Sequence, residues 1–326
     1  MRRKILIVAF LLAATASRAP ARHKDPPRAR PQIALVARDA DIHALARLVC
    51  DVAHQNLVVP GTVQGRVSLR AVKAPWDRVL GMALREAGSA FRFHGSFLVV
   101  GEPGELEANR KALRRARRHA EEILGPRSAR ARAIPLGKRV SLDFTRAELE
   151  NLLPLFADIQ KADLRPEQGL AARVSVMARN VPWRHALEAV LLACGMGMQK
   201  AEEGIRVGRF EALQRGDAKR FGPLIRPELP DVDRSPPTAR FALKDYKLVA
   251  VVSGIQRPRA LVEDTQGRCF VLCKGSRLGK DHARVAEILP EAMKVEQESR
   301  DATGARQVER YRLDMGSAAR LDPDAR

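Results

Sequence analysis

The sequence is poor in aromatic residues. Its 326 residues include two Trp, two Tyr and ten Phe, which is 4% of the chain, although 45% of the residues are hydrophobic. The core must therefore be built mainly from Val, Leu, Ala and Ile. The scarcity of rings also disfavours a platform for single-stranded nucleic acid, because such platforms stack bases on exposed aromatic side chains.

Cysteine is scarce as well, and this excludes a disulfide scaffold. The four cysteines are Cys50, Cys194, Cys269 and Cys273. The last two lie in a run that is predicted to be a strand, where residues four apart are about 13 Å apart and cannot bond directly. We predict that they are small buried hydrophobic residues rather than a redox pair.

The same strand suggests a candidate contact surface. Val271 alternates with the two cysteines, so this face is predicted to point inward. Phe270 and Leu272 are then covered on the other face or lie at an interface, and Arg277 follows in the next turn. We predict these three residues, Phe270, Leu272 and Arg277, as partner-binding residues.

Catalytic motifs are missing from the sequence. It contains no Gly-x-Ser-x-Gly elbow, no His-Glu-x-x-His helix and no Cys-x-x-Cys pair. The run Gly275–Asp281 is one residue short of a phosphate loop and ends in Asp instead of Ser or Thr, so we predict a turn there. We predict no enzyme, no catalytic residue, no cofactor, no metal site and no small-molecule substrate.

Positive charge is abundant. Lys and Arg number 58 against 38 Asp and Glu, so the formal net charge is 58 − 38 = +20. Such a field attracts nucleic acid, anionic lipid or anionic wall polymers, and charge alone does not choose among them.

The N-terminus has the pattern of a cleaved signal peptide, residues 1–16. Three basic residues precede the apolar run Ile5–Ala14, and Ala14-Thr15-Ala16 supplies small residues at a cleavage site. The run is shorter than the roughly 18 to 20 residues that span a bilayer. We therefore expect a soluble periplasmic chain that begins near Ser17. No Cys follows the run, so lipidation is not expected.

An internal repeat organises most of the chain. Val67-Ser68 aligns with Val174-Ser175 at an offset of 174 − 67 = 107, and the same offset aligns Pro75-Trp76 with Pro182-Trp183. Two modules of about 70 residues are predicted, at 32–101 and 139–208. We call them the N-terminal module and the middle module.

Each module is predicted to be β-α-β-β-α-β. In the N-terminal module, Asp39 and Asp41 are possible caps of the first helix, and Pro75 precedes the second, which ends at Gly88. In the middle module, Thr145 and Glu148 have the spacing of a capping box.

Two linkers and a third module complete the predicted organisation. A basic linker, 102–138, includes Arg114, Arg115, Arg117 and Arg118, which are candidate polyanion-binding residues in a solvated, partly helical segment. A Pro-rich linker, 209–238, is predicted to lack regular structure and to keep its neighbours apart. Six short strands then predict a small all-β sandwich or barrel at 239–316, followed by a tail, 317–326. The predicted strands are Leu248–Ser253, Arg259–Glu263, Cys269–Lys274, Arg284–Ile288, Met293–Glu296 and Gln307–Leu313. We call 239–316 the C-terminal module and assign the chain to the α+β class.

Two resemblances to known families follow from specific runs. Asn56-Leu57-Val58-Val59, Gly65–Leu69 and Ala74–Asp77 resemble the short N-terminal domain of secretins and TonB-dependent transducers, which the pilus secretin PilQ carries; the middle module is assigned through the repeat. Arg259–Asp264 and Cys273–Gly279 resemble the periplasmic domain of PilP, the pilus-assembly lipoprotein that docks on the secretin. The middle module departs from its pattern at Leu164-Arg165-Pro166.

The resemblances imply a non-catalytic docking protein of the type IV pilus or of related protein secretion machinery. Its expected partners are the outer-membrane secretin and inner-membrane pilus alignment proteins. No large barrel domain fits after residue 208, so we do not expect a secretin itself. The alternative is a periplasmic module that binds cell-wall polymer or DNA through the basic linker. A signal-transducing module would need a plug and barrel that we do not find.

Overall fold

The computed structural model describes residues 31–131, 134–202, 204–215, 220–223, 237–254, 257–300 and 306–322. The predicted signal peptide and the start near Ser17 lie outside these residues. The N-terminal module has two helices, α1 Ile42–Val52 and α2 Trp76–Glu86. Its five strands are β1 Gln32–Asp41, β2 Asn56–Pro60, β3 Arg66–Pro75, β4 Ala90–His94 and β5 Phe97–Gly101. Strand β4 is additional to the predicted order, so the module is β-α-β-β-α-β-β.

The helix boundaries follow from local chemistry. The Asp41 carboxylate accepts a hydrogen bond from the Ala44 amide at 3.1 Å, so Asp41 caps α1. Pro75 is the last residue before α2, and its fixed φ suits the entry to a helix. Gly88 takes a positive φ of 65° just after α2, a conformation that glycine adopts without strain.

The middle module repeats this sequence of elements after the long helix α3 Pro103–Ala131. Its helices are α4 Leu149–Gln160 and α5 Trp183–Ala193. Its strands are β6 Arg139–Glu148, β7 Leu164–Pro166, β8 Arg173–Pro182, β9 Met196–Ala201 and β10 Gly204–Arg209. The predicted capping box is wrong. Thr145 lies within β6, and Glu148, the residue before α4, makes no side-chain capping bond because the extended strand runs directly into the helix.

The two modules agree in register as well as in order. All seven residue pairs between β1 and β3, from Gln32 with Pro75 to Asp41 with Arg66, recur between β6 and β8 with 107 added to each number. Non-glycine residues with positive φ recur at the same offset: Asp39 and Arg146, His54 and Lys161, Lys73 and Asn180. Equivalent positions can therefore be compared residue by residue.

Eight strands are described in the C-terminal module and the predicted tail that follows it. They are β11 Lys247–Ser253, β12 Arg259–Glu263, β13 Cys269–Cys273, β14 Arg277–Leu278, β15 Ala283–Ile288, β16 Ala292–Arg300, β17 Arg306–Asp314 and β18 Ala319–Leu321. The structure confirms the α+β class, with a helix-containing part and a β sandwich. Strand β18 lies in the predicted tail, where it pairs with β17.

The sheets cross the predicted module boundaries. Sheet A has the order β13-β12-β11-β1-β3 and joins the C-terminal module to the N-terminal module. Sheet B, β4-β5-β2-β8-β6, joins the N-terminal module to the middle module. Sheet C is β7-β10-β9, and sheet D is β14-β15-β16-β17-β18. The C-terminal module is therefore joined to the N-terminal module through β11 and β1, although the Pro-rich linker was predicted to keep its neighbours apart.

The Pro-rich linker contains regular structure at both ends. Helix α6, Phe210–Arg215, follows β10, and Pro237–Ala239 form a short 3-10 turn. Phe221 pairs with Glu167 next to β7, and the Gln168 amide donates to the Arg220 carbonyl at 2.9 Å. The expectation of an irregular spacer thus fails at 210–215 and 220–222, where apolar Phe210, Leu213 and Phe221 are buried.

Residues 220–222 lie along the outer edge of β7. In the N-terminal module, β8 occupies the equivalent edge of β2. The Gly61 amide next to β2 donates to the carbonyl of Arg173, and Gln168, its counterpart 107 residues later, donates to the carbonyl of Arg220. The Gly222 amide also donates to the Pro166 carbonyl at 3.1 Å. The outer edge of β7 is therefore covered by the chain's own next segment.

The inward orientation predicted for Val271 in β13 is wrong, whereas Phe270 and Leu272 are covered, which is one of the two alternatives predicted for them. Val271 is 37% exposed, whereas Leu272 is 3% exposed and Phe270 is half-buried in the core of the C-terminal module. Register with β12 explains this, because Phe270 and Leu272 lie opposite Val262 and Ala260, which face that core. The run Cys269–Cys273 is apolar on both faces, so its alternation does not identify the inner face.

Candidate docking surfaces

The C-terminal module binds the outer edge of β1 by strand pairing. Ala34–Ala37 pair antiparallel with residues 250–253 of β11. Four side chains of this module, Val249, Ala250, Val252 and Leu261, belong to the same buried cluster as the core of the N-terminal module. The junction therefore combines backbone hydrogen bonds with apolar burial, the two components of strand addition.

Two ion pairs flank this junction. Arg66, at the start of β3, holds Glu263 of β12 with an Nη2–Oε2 distance of 2.6 Å. Asp51, near the end of α1, accepts from Nε of Arg259 in β12 at 3.2 Å. Hydrogen bonding to Glu263 and Asp39 raises the pKa of Arg66. Both pairs involve residues of β12, one strand beyond the paired edge, and add charge contacts to the strand pairing.

A second junction joins the first two modules. Residues Leu57–Pro60 of β2 pair antiparallel with 174–177 of β8, and Met177 is buried in the N-terminal core. Around this pairing, Asp41 binds Arg146, and Arg47 binds Asp143 and the Phe144 carbonyl. Asp51 also binds Arg179, so this one carboxylate contacts both of the other modules.

His43 is buried at the centre of the second junction. Its Nε2–H donates to the Val63 carbonyl at 2.7 Å, and its Nδ1 accepts from the Ser175 hydroxyl at 2.9 Å. The Ser175 oxygen in turn accepts from the Arg146 amide at 2.9 Å. Burial lowers the pKa of His43, a shift that nearby Arg146 and Arg47 reinforce and that the Val63 carbonyl and Asp41 oppose. The neutral ring is therefore part of the folded structure.

Stability should fall as the pH is lowered below about 6.5, the pKa of an unperturbed histidine. Below that pH the unfolded chain binds a proton on His43 and the folded chain does not. The stability that the neutral ring contributes is therefore complete above about pH 6.5 and is lost as the pH falls below it. The expected slope is at most about 1.4 kcal/mol per pH unit. Urea unfolding between pH 5.5 and 7.5 measures it, and His43→Gln should flatten the curve. Identical slopes for the two chains would contradict the assignment to His43.

The Ser175 and His43 pair cannot act as a nucleophile and base. Ser175 is 1% exposed and His43 is fully buried, so no substrate carbonyl reaches the hydroxyl. The second ring nitrogen is bound to a backbone carbonyl, and no carboxylate orients it. This pair is a structural contact between modules.

Other reactive groups are also shielded in the described part of the chain. Burial raises the pKa of the Cys194 and Cys269 thiols to about 12, and that of Cys50 rises for the same reason. These thiols are protonated at neutral pH, which makes them poor nucleophiles. Within the described ranges, no cluster of His, Cys, Asp and Glu has the arrangement of a metal site. None of the helices described is long and apolar enough to span a membrane.

Helix α3 forms most of the basic linker. Its first turns pack on the modules, since Leu106 is buried and the Asn109 side chain donates to the Leu192 carbonyl at 3.1 Å. Arg114, Arg115 and Arg118 lie farther along the helix and are exposed; the side chain of Arg117 is outside the described set. The helix thus presents a cationic surface to solvent.

The predicted partner-binding residues divide into two groups. Phe270 packs edge-to-face on Tyr246, with ring centroids 6.3 Å apart, and Leu272 is buried beside it, so both hold the core of the C-terminal module. Arg277 is exposed on β14, an edge strand of sheet D. It is the most exposed of the three, since Phe270 is half-buried and Leu272 is buried.

Sequence reasoning missed the polar groups at the two junctions. Asp41 was identified as a cap, but its pairing with Arg146 was not, and neither were the roles of His43 and Asp51. A signal existed in the repeat itself. Arg179 and Asp143 stand where the N-terminal module has Val72 and Val36. Such changes from apolar to charged residues mark positions whose surroundings differ between the modules.

Comparison with known proteins gives a local match. No family model matches the chain. The Fimbrial assembly protein PilQ of Pseudomonas aeruginosa is 30% identical over 92 residues, which is 28% of this chain and 13% of that protein. The chain thus matches a small part of the length of this curated relative.

Solved structures with local similarity include PilP domains. A domain of the type IV pilus biogenesis lipoprotein PilP from P. aeruginosa has 21% identity and a TM-score of 0.23, covering 28% of this chain and 100% of the domain. The solution structure of PilP from P. aeruginosa has 20% identity and a TM-score of 0.24, covering 31% and 88%. A domain of the Neisseria meningitidis PilP pilot protein has 19% identity and a TM-score of 0.23, covering 31% and 90%.

Proposed function

We propose that the chain is a non-catalytic periplasmic assembly protein of a type IV pilus or a related secretin-based system. In this role it binds the outer-membrane secretin and connects it to inner-membrane alignment proteins. The N-terminal and middle modules are two copies of the short secretin-type domain, and the C-terminal module is of the PilP type.

The pairing of β1 with β11 is the observation that carries this proposal. It places a module with secretin-type sequence runs and a module with PilP-type runs in one continuous sheet. A 30% match to a curated PilQ over 92 residues supports the same system. A protein built from such a contact is suited to docking, because its binding elements are strand edges and sandwich faces rather than a cleft with reactive groups.

Arg277 is the proposed secretin contact. It is exposed on β14, at the edge of sheet D, whereas the β11 edge of the sandwich is already occupied by β1. An exposed arginine on an edge strand can bind carboxylates or backbone carbonyls of a partner. Phe270 and Leu272 support this surface from the core.

Binding to a polyanion is a second candidate function, favoured by the exposed arginines of α3. A row of guanidinium groups on a helix binds phosphate or carboxylate polymers with a strong dependence on salt. The cell wall or DNA in the periplasm would supply such polymers.

One binding experiment separates the two functions. The full mature chain is immobilised, and the purified periplasmic domains of the secretin from the same organism are passed over it. Replacing Arg114, Arg115, Arg117 and Arg118 by Ala should leave secretin binding nearly unchanged at moderate salt, because exposed charges more than about 8 Å from the contact are screened. The same variant should lose binding to DNA or soluble wall polymer.

Arg277→Glu should weaken secretin binding, and Arg78→Glu, an exposed change on α2, is the matched control. Failure of the unaltered chain to bind the secretin domains would refute the proposed function. If the four-alanine variant loses secretin binding at moderate salt, the α3 surface is the interface instead.

A further inference from the structure

The outer edge of β6 is unpaired within the described residues, although its counterpart β1 carries a whole sandwich. Sheet B ends at β6, whereas β1 has β3 on one side and β11 on the other. The seven-pair register shared by the two modules makes Ser141–Phe144 the counterparts of Ala34–Ala37, the residues that pair with β11. An open edge of this kind is a template for another strand.

The charged anchors of the sandwich recur beside this edge. Arg66 and Asp51 hold Glu263 and Arg259 of β12, and their counterparts 107 residues later are Arg173 and Asp158. Arg173 is 67% exposed and binds Glu148, and Asp158 is 75% exposed and binds Lys161. Exposed pairs contribute about 0–1 kcal/mol, so exchanging them for a partner's charges costs little.

An apolar strip on α4 also lacks its cover. Leu48 and Val52 of α1 are buried in the cluster that includes Leu261 and Ala250 of the sandwich. At the equivalent positions of α4, Leu155 and Ile159 are only partly buried. The middle module therefore keeps the apolar and the charged parts of the docking surface, and no sandwich of this chain occupies it.

We propose that the edge of β6 binds a β sandwich of another protein, in the way that β1 binds the C-terminal module. The partner supplies two antiparallel strands. The first pairs with Ser141–Phe144, and the second carries a basic residue for Asp158 and an acidic residue for Arg173. This inference goes beyond the proposed contact with a secretin and does not depend on it.

The partner differs from this chain in two respects. In a second copy, β11 is already paired on both sides, with β1 and β12, so its edge is not available. The edge of β6 also carries Asp143 where β1 has Val36, and Val36 lies opposite Val251. Asp143 binds Arg47, and because its side chain is 64% exposed it remains accessible to a second cation. A polar or basic residue opposite Asp143 suits this edge better than the valine of β11.

A labelled peptide tests the proposal on the full chain. The probe has the sequence of residues 246–264 with Val251→Lys, which puts a basic residue opposite Asp143, and it carries fluorescein. It contains β11, β12, Arg259 and Glu263. We expect saturable binding by fluorescence anisotropy, and slower hydrogen exchange of the amides at 139–144. Asp158→Arg should weaken binding about tenfold because it places like charges together. A probe with Arg259→Asp should restore binding to that variant.

Asp281→Arg is the matched control, since Asp281 is exposed in the turn before β15. It should bind the probe like the unaltered chain. Three outcomes would overturn the proposal. They are slower hydrogen exchange that maps to β3 or sheet D, the absence of saturable binding, and a failure of the Arg259→Asp probe to bind the Asp158→Arg variant. A dimer of the chain that Asp158→Arg dissociates would assign the edge to a second copy and would also overturn it.

Discussion

A chain cut within residues 224–236 is expected to remain a single particle and to unfold in one transition. A protease site inserted there separates β1–β10 from β11–β18 covalently, but the pairing of β1 with β11 and the ion pairs of Arg66 and Arg259 hold the parts together. Gel filtration before and after cleavage, followed by thermal unfolding of the cleaved sample, measures this result.

Each part alone should be severely destabilised. Separation exposes Val249, Ala250, Val252 and Leu261 together with their neighbours in the N-terminal core. Burying a Val or Leu side chain contributes about 1.5–3 kcal/mol, so the loss of the two Val side chains and the one Leu side chain, about 4.5–9 kcal/mol, is comparable to the roughly 5–15 kcal/mol that stabilises a typical domain. If the parts elute separately after cleavage and each unfolds cooperatively, the shared sheet is not what stabilises them.

Replacing Trp183 by Ala should cost about 3–5 kcal/mol of unfolding free energy. Trp183 is 1% exposed, lies edge-to-face on Phe156, and donates its Nε1–H to the Phe156 carbonyl at 2.6 Å. The substitution leaves a cavity between α4 and α5 and removes the donor from a buried carbonyl. Urea unfolding followed by far-UV circular dichroism measures the loss without relying on tryptophan fluorescence.

Two further variants make this measurement specific. Trp183→Phe keeps most of the ring volume and loses the hydrogen bond, so its effect should lie between those of the wild type and Trp183→Ala. Phe93→Ala removes a ring that is 60% exposed and should change the free energy of unfolding by no more than about 0.5 kcal/mol. Equal losses for Phe93→Ala and Trp183→Ala would contradict the packing described for the middle module.

Local patterns predicted the strands of the C-terminal module well. Arg259–Glu263 is a strand over the predicted residues, and Leu248–Ser253 differs from β11 by one residue, because short alternating runs between turn residues are typical strand signals. Strand β4 was missed: its sequence Ala-Phe-Arg-Phe-His is short, and the strand is recognisable mainly as the hairpin partner of β5.

Which strands share a sheet could not be predicted from the sequence. The pairing of β1 with β11 and of β2 with β8 joins residues more than 100 positions apart. No local sequence pattern predicts which distant strand will pair with an edge strand. The face of β13 was assigned incorrectly for a related reason, since its neighbour β12 decides it. His43 and Asp51 look like ordinary helix residues until the other modules are placed around them.

Residues 220–222 limit how many modules the chain can join in series. The edge of β2 receives β8 of the following module, a head-to-tail contact that any further module could repeat without end. On β7 the same position is filled by Phe221 and its neighbours, with the hydrogen bonds that a third module would make. The segment therefore occupies the position at which a further module would dock on β7, so the series of modules ends there.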